Sequence, residues 1–594
     1  MPQKTNSFER FWSELKRRKV INVIAVYASA AFGIIEIVNN LTTPLHIPAS
    51  VSTIVIIVLA IGFPFAIILS WIYDLTGGTF ERTRPMEDIQ GDEKVKVPNA
   101  WKIATYVSFV VIIGLVVLNI ARGSSILKPG TIQSLVILPF DNYTGDEKLD
   151  YFVSGMHSSL IADVGKIGSL SVISETTSNV YKNAHKSLPQ IASDLNVDAV
   201  VEAQVMCLGD SICLQVRVVK ADKKEKQLWA GDYKEDKRKI LNLYNLITKQ
   251  IADEVMVKLS PEEERLLSKS RIVDREAYDA YLNSKFYWGD FSRESLNKAL
   301  ILLNSAVEKD PGWAPLYSGL AKVWLGIQQM GFESPSVTSQ KIYENLNKAL
   351  ELDPDLSDSH YISGVMAYLI EWNWEKGEKE LLRALEINPN DVLSGINYAQ
   401  LLTILQKPDE ALKQGQLVIK LDPSNPFIQL SYSFLLNSLG DCKTAMTYAE
   451  KVVAVDPKNY LGNNVLEFAA FQCKDYETTL KAVRYSLPIT IEENAFKEIE
   501  KIFHKQGFAE AFKEITSQMK SFASGNPVSP MDMACRYIYA DQPDKAMDWL
   551  EKGYEIHDPN MPYITTHGYN LDPLFSNPRF KDIVKKMNLS LPNN

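Results

Sequence analysis

The side chains best suited to chemistry are thinly spread through this chain. Seven histidines are scattered from His46 to His567, and none forms HExxH or another pair of metal ligands spaced on one helix face. His557, Asp558 and His567 come closest together, in a stretch better read as an interhelical loop. GxSxG, the kinase loops, GxxxxGK[ST] and GxGxxG are absent. The turn Asp141-Asn142-Tyr143-Thr144-Gly145-Asp146 follows a strand and opens a helix, a place where backbone N–H groups can hold phosphate. Its acids, with Glu147 beside them, repel such an anion. No catalytic residue, cofactor or metal site is therefore expected, and the chain reads as no enzyme. Cys207 and Cys213 flank a hairpin turn: in one register they face each other and can pair outside the cytoplasm, and slipped by one residue they point to opposite faces. Cys442, Cys473 and Cys535 sit among apolar residues of helices and read as small hydrophobes. What remains is binding chemistry. Gln400, Thr403, Phe434, Asn437, Asn464, Phe468 and Phe471 recur on successive helices, where amides can bond backbone groups and rings supply apolar contact to an extended peptide or loop.

Composition narrows the class. The chain has 594 residues, 46% hydrophobic and 23% charged, with five cysteines and a net charge of −9. That excludes a mainly disordered or collagen-like protein and a disulfide scaffold. An acidic balance argues against a nucleic-acid partner. The mean hydropathy of −0.11 conceals an uneven distribution. Residues 20–38, 51–73 and 103–121 are long apolar stretches, and each is expected to be a transmembrane helix across a hydrocarbon core of about 30 Å. Lys and Arg crowd residues 1–19 and recur in 74–102, while the loop between the first two stretches has none. Positive residues stay inside. The expectation is a cytoplasmic N-terminal tail (1–19), a cytoplasmic loop (74–102), lipid contact through the three helices, and everything after Arg122 periplasmic or otherwise extracytoplasmic, on the inner membrane.

The elements after residue 130 change period. Ser134 to Phe140 reads as a buried strand, about Leu149 to Val164 as a helix, Leu170 to Ser174 as a strand and Leu188 to Leu195 as a helix. Ala199 to Val205, Ile212 to Val219 and Lys226 to Lys234 follow as strands, then Ile240 to Leu259 as an amphipathic helix. The segments SLVILPFDNYTGDEKLDYFVSGMHSSLIADV, DLNVDAVVEAQV and QLWAGDYKED make residues 131–260 resemble the TolB amino-terminal-like domain. Bacterial proteins carry that domain beside tetratricopeptide repeats, often with a cyclase or winged-helix module. The chain departs from the resemblance at Ala203 and at Met206-Cys207-Leu208, which bears on any ligand shared at the hairpin.

From Asp274 the chain is helical and repetitive. An acidic or amide residue plus proline closes each unit, at Pro311, Pro354, Pro389, Pro423 and Pro457, which lie 43, 35, 34 and 34 residues apart. Paired helices at a period of 34 are the tetratricopeptide signature. Small residues 12 apart, Ala399/Ala411 and Ser433/Ala445, mark where paired helices approach, and the long interval holds an insertion near 330–337. Repeats occupy 274–487, and degenerate repeats with a cap occupy 488–594, about seven units in all. The expected architecture is thus multidomain: three transmembrane helices, a small α/β domain, and an all-α tetratricopeptide superhelix whose concave side recruits a protein. The expected function is a non-enzymatic membrane-anchored scaffold. The alternative is a signal-input component that senses an envelope ligand and acts on a separate cytoplasmic cyclase or transcription regulator.

Overall fold

The computed structural model describes residues 20–42 and scattered residues between 12 and 82, and then residues 132–592 apart from the short segments 222–224, 289–291, 488–490, 492 and 524–527. The chain divides into two units, Met1–Ile126 and Leu127–Asn594.

In the first unit, α1 spans Val20–Thr42. The Tyr27 hydroxyl donates to the Leu59 carbonyl at 2.8 Å and its ring lies 5.6 Å from that of Phe63. A hairpin follows, β1 (Tyr73–Thr76) paired antiparallel with β2 (Thr79–Arg82). Among the described residues no helix is long and apolar enough to cross a membrane. This corrects the expectation of three transmembrane helices and of the lipid contact argued from them. Asn22 and Glu36 bracket the mainly apolar run of α1, Val23–Ile35, well short of the roughly 20 residues a span needs. The stretch expected at 51–73 ends in strand β1, which takes Tyr73 out of any helix. The third stretch, 103–121, and most of 1–19 and 74–102 lie outside the described residues.

The second unit opens with a six-stranded sheet. Its strands are β3 (Ser134–Ile137), β4 (Asp141–Asn142), β5 (Ser171–Val172), β6 (Ala199–Leu208), β7 (Ser211–Lys220) and β8 (Gln227–Asp236). The order is β5-β3-β6-β7-β8, with β4 also paired to β6. β3 runs parallel to β5 and β6, as crossovers through helices require, and β6-β7-β8 is an antiparallel meander. Helices α2 (Asp150–Val164), α3 (Glu175–Asn179), α4 (Leu188–Leu195) and α5 (Ile240–Glu254) cover it. Leu135, Ile137, Val201 and Val216 of the sheet pack with Phe152, Met156 and Ile247 of the helices in one core.

After α6 (Pro261–Leu266) the described chain forms eight antiparallel helix pairs: α7/α8 (Arg275–Trp288, Arg293–Lys309), α9/α10 (Ala314–Gln329, Pro335–Leu352), α11/α12 (Ser357–Leu369, Trp374–Ile387), α13/α14 (Val392–Ile404, Pro408–Leu421), α15/α16 (Pro426–Ser438, Cys442–Val455), α17/α18 (Tyr460–Gln472, Tyr476–Ser486), α19/α20 (Glu493–Gln506, Phe508–Ala523) and α21/α22 (Pro530–Tyr539, Pro543–Glu555). This is a tetratricopeptide-repeat superhelix. It has one pair more than about seven because α17/α18 ends at Ser486-Leu487-Pro488 without the acid-or-amide marker. The small residues act as read: Ala399 and Ala411 are fully buried, and the Ser433 hydroxyl donates to the Ala445 carbonyl at 2.6 Å. The insertion in the long interval becomes the turn between α9 and a lengthened α10. Beyond α22 the chain makes three single 3-10 turns, Met561–Tyr563, His567–Tyr569 and Asp572–Leu574, before α23 (Pro578–Lys586).

Candidate functional site

The first helix of each pair lines the concave side of a stacked array, so the groove is built by α7, α9, α11, α13, α15 and α17. Its two halves differ. Toward the C-terminal ends of α13, α15 and α17 the groove is filled by the chain's own C-terminal segment. Gln400 accepts a hydrogen bond from the Tyr563 hydroxyl at 3.0 Å, and Asn437 donates to the Gly568 carbonyl at 3.1 Å. The Phe434 ring meets Tyr563 and Tyr569 edge-on, each at 5.3 Å. Phe468 is 1% exposed, its ring 5.1 Å from Tyr569 and its carbonyl accepting from Asn570. Thr403 turns inward and donates to the Gln400 carbonyl. Phe471 does not join this set; it stacks 3.9 Å from Tyr539 of α21. Asn464, half-buried, is left on the wall of the open half.

Sequence reasoning missed the other side of this contact. Gln406 and Gln472 donate to the carbonyls of Thr565 and His567 at 3.4 and 3.2 Å. The capping tail could be seen in the sequence, but nothing local shows that it folds back over helices some 130 residues upstream (Asn437 to Gly568 is 131).

The open half is a chamber of about 2390 Å³, walled by α7 to α17 on one side and by α2 and α3 on the other. Tyr281, Trp288, Tyr361, Phe427 and Leu461 supply apolar surface, and Asn397 and Asn464 supply amides. Its central charges interact with one another. Lys322 pairs with Asp358 at 2.9 Å and lies 4.4 Å over the Trp288 ring. Burial alone would raise the Asp358 pKa, but Lys322 outweighs it and holds the carboxyl below its usual range. Burial works against the charge of Lys285, and Tyr281, Asp358 and Glu175 outweigh it, so its pKa is raised. Burial, reinforced by Asp358, raises that of Asp391.

The α/β domain closes the chamber by docking on the interhelical turns of the repeats. Asn390 donates to the carbonyls of Gly165 and Leu170 and accepts from the Val172 N–H, each at 2.9 Å. The edge strand β5 is thereby given a partner, which also shields an edge that would otherwise template aggregation. Asp422 accepts from the hydroxyls of Ser174 and Thr177, and burial raises its pKa against those bonds.

The remaining polar residues hold structure. His157 is 1% exposed, hydrogen-bonded to Ile137 and Ser178, and burial pushes its pKa down. In the turn after β3, Asn142 bonds Asp150 and Asp146 caps the next turn, as a helix-entry loop does. His557 stacks on Trp372, Asp558 accepts from Ser529, and His567 pairs with Asp572. Cys207 is bonded to Cys213, because a bulge at Met206 brings them opposite each other. Cys442 and Cys473, expected as small hydrophobes, form a second disulfide between the start of α16 and the residue after α17. Adjacent repeats bring them together, and a linear reading has no means of seeing that. Cys535 is free and buried.

No family model matches the chain. It is 28% identical over 250 residues to putative adenylate cyclase 3 of Rhizobium meliloti (strain 1021), a match covering 42% of each protein. The chain thus spans less than half the length of the curated relative it matches. Among solved structures, the pilF protein of Pseudomonas aeruginosa has 20% identity and a TM-score of 0.28, covering 38% of this chain and 97% of that one. The tetratricopeptide protein TTC0263 of Thermus thermophilus has 16% identity and a TM-score of 0.27, covering 33% and 99%. One from Parabacteroides merdae has 12% identity and a TM-score of 0.27, covering 53% and 100%. The repeat assignment rests on the helix pairs and period of this chain.

Proposed function

We propose that the second unit is a protein-interaction scaffold that captures an extended peptide or loop of a partner in the open half of its groove. The observation that carries this reading is the chamber itself. Its volume exceeds the roughly 300–1,000 Å³ of a small-molecule pocket, and its wall presents rings and amides beside the Lys322–Asp358 ion pair. Phe427 and Leu461 stand on successive inner helices, 48% and 47% exposed, as apolar anchors without a core role. The resemblance of residues 131–260 to a TolB amino-terminal-like domain belongs to this reading, with that domain as the roof. The two disulfides favour an oxidising, extracytoplasmic compartment.

The test is crosslinking and pull-down with the full-length chain, comparing wild type with Phe427→Ala plus Leu461→Ala. A specific partner lost in the double variant, with melting unchanged, supports the chamber; undiminished capture overturns it. A second reading is favoured by the cyclase relative: the chain is a regulatory component acting on a separate nucleotide cyclase. Co-expression with such a cyclase would then change cyclic-nucleotide levels, and unchanged levels would remove it.

A further inference from the structure

The closed half of the groove shows how this surface holds a chain. The segment Tyr563–Asn570 is gripped by its backbone: Gln406, Asn437 and Gln472, on or just after three successive inner helices, donate to the carbonyls of Thr565, Gly568 and His567. Bonds to main-chain carbonyls read the shape of the backbone, here the 3-10 turns Met561–Tyr563 and His567–Tyr569 and the chain between them, more than a side-chain identity. The remaining selection is steric and aromatic. A Cβ on Gly568 would lie 2.5 Å from the Ser438 hydroxyl and 3.0 Å from the Phe434 ring, so any side chain there must push Ser438 or Phe434 aside, and a β-branched one most of all. Tyr563 and Tyr569 flank Phe434 on either side of that crossing.

The fit is incomplete. Asn437 Oδ1, Ser438 Oγ, Gln472 Oε1 and Thr565 Oγ1 are buried at this seam with no hydrogen-bond partner. Buried polar atoms are nearly always satisfied in a settled core, and four orphans in one seam mark a contact that a better-matched segment can replace. The seam also ends at the chamber: Gln400, Phe434, Tyr563 and Tyr569 line both.

We propose that residues 563–570 are an intramolecular ligand occupying a second peptide site. The partner for that site is a peptide segment able to take the same turned backbone, with a glycine flanked by aromatic residues, which must displace this one. The inference rests on reading the repeats as a peptide-binding surface, but it concerns the closed half only. Its failure leaves capture through Phe427 and Leu461 untouched, and loss of that capture leaves this site untouched.

The probe is a fluorescein-labelled peptide of residues 558–577, titrated against the full-length chain by anisotropy. Gly568→Val forces the resident segment out, and the variant should bind the peptide at least ten-fold more tightly than wild type while retaining its helical circular dichroism. Equal binding, or none by a folded variant, overturns the proposal. Native-state hydrogen exchange of the wild type covers a variant that does not fold. Amides 563–570 should exchange at least ten-fold faster than those of Pro530–Tyr539 and Pro543–Glu555; equal protection means the segment is permanent core.

Discussion

The two halves of one concave face were made from the same repeat, and they have different fates. The inner helices from α7 to α17 all meet the chamber, and in α13, α15 and α17 it is the C-terminal end of each helix that meets the chain's own C-terminal segment. The open half keeps exposed rings and internally paired charges, such as Lys322 with Asp358. Behind the closed half lie the Cys442–Cys473 bridge and a fully buried ion pair, Arg536 with Glu467 at 3.3 Å. Periodic sequence thus sets up a binding face along the whole array, and long-range packing decides where that face stays available.

The closed half is most sensitive at the buried ion pair. Arg536→Ala strands the Glu467 carboxylate, and it should cost about 3–5 kcal/mol in urea unfolding of the second unit. A loss under about 1 kcal/mol would mean that the pair does not hold the packing behind the closed half. Replacing Cys442 and Cys473 with serine should cost about 2–4 kcal/mol by the same measurement, and reductant, which opens the Cys207–Cys213 bridge as well, should cost wild type at least as much. A paired test comes next. Phe434→Ala, under the resident segment, should cost about 2 kcal/mol, and Phe427→Ala, facing the chamber, less than about 0.5 kcal/mol. Equal effects would erase the distinction between the halves.

The smallest effect is a pH dependence on the outer side of the open half. His360 shares a hydrogen bond with Glu380 at 2.7 Å. Burial opposes the imidazolium charge, but Glu380 and the Pro354 carbonyl outweigh it and raise the His360 pKa. A raised folded pKa means the contribution is fully present below the unfolded value of about 6.5 and is lost as pH rises through the raised one. His360→Ala should therefore lower the melting stability at about pH 6, by about 1 kcal/mol or less, and change it little at about pH 9. A deficit that persists unchanged at the higher pH would assign the effect to packing instead.

Legibility followed the range of the interactions. The helix at Leu188–Leu195 and the strands of the meander are readable because burial alternates along them with the period of each element. The repeats are readable because each unit restates its own packing, down to Ser433 against Ala445. The candidate site is half readable: the residue types on the inner helices suit a peptide, yet the peptide present is the chain itself. The helix that carries Phe471 is legible and its neighbour is not, since its partner Tyr539 comes from a later repeat. Reading the apolar stretches from their average hydropathy overlooks the polar residues bounding α1 and the strand that begins at Tyr73.

By itself, the sequence determined the period, the pairing of helices and the strand-helix order of the α/β domain, because these depend on contacts within a few dozen residues. Only the tertiary structure decided the bulge that joins Cys207 to Cys213, the bridge between Cys442 and Cys473, the docking of Asn390 on β5, and the filling of half the groove. Those outcomes depend on which distant surfaces fit together, and fit in three dimensions leaves no periodic mark on the chain.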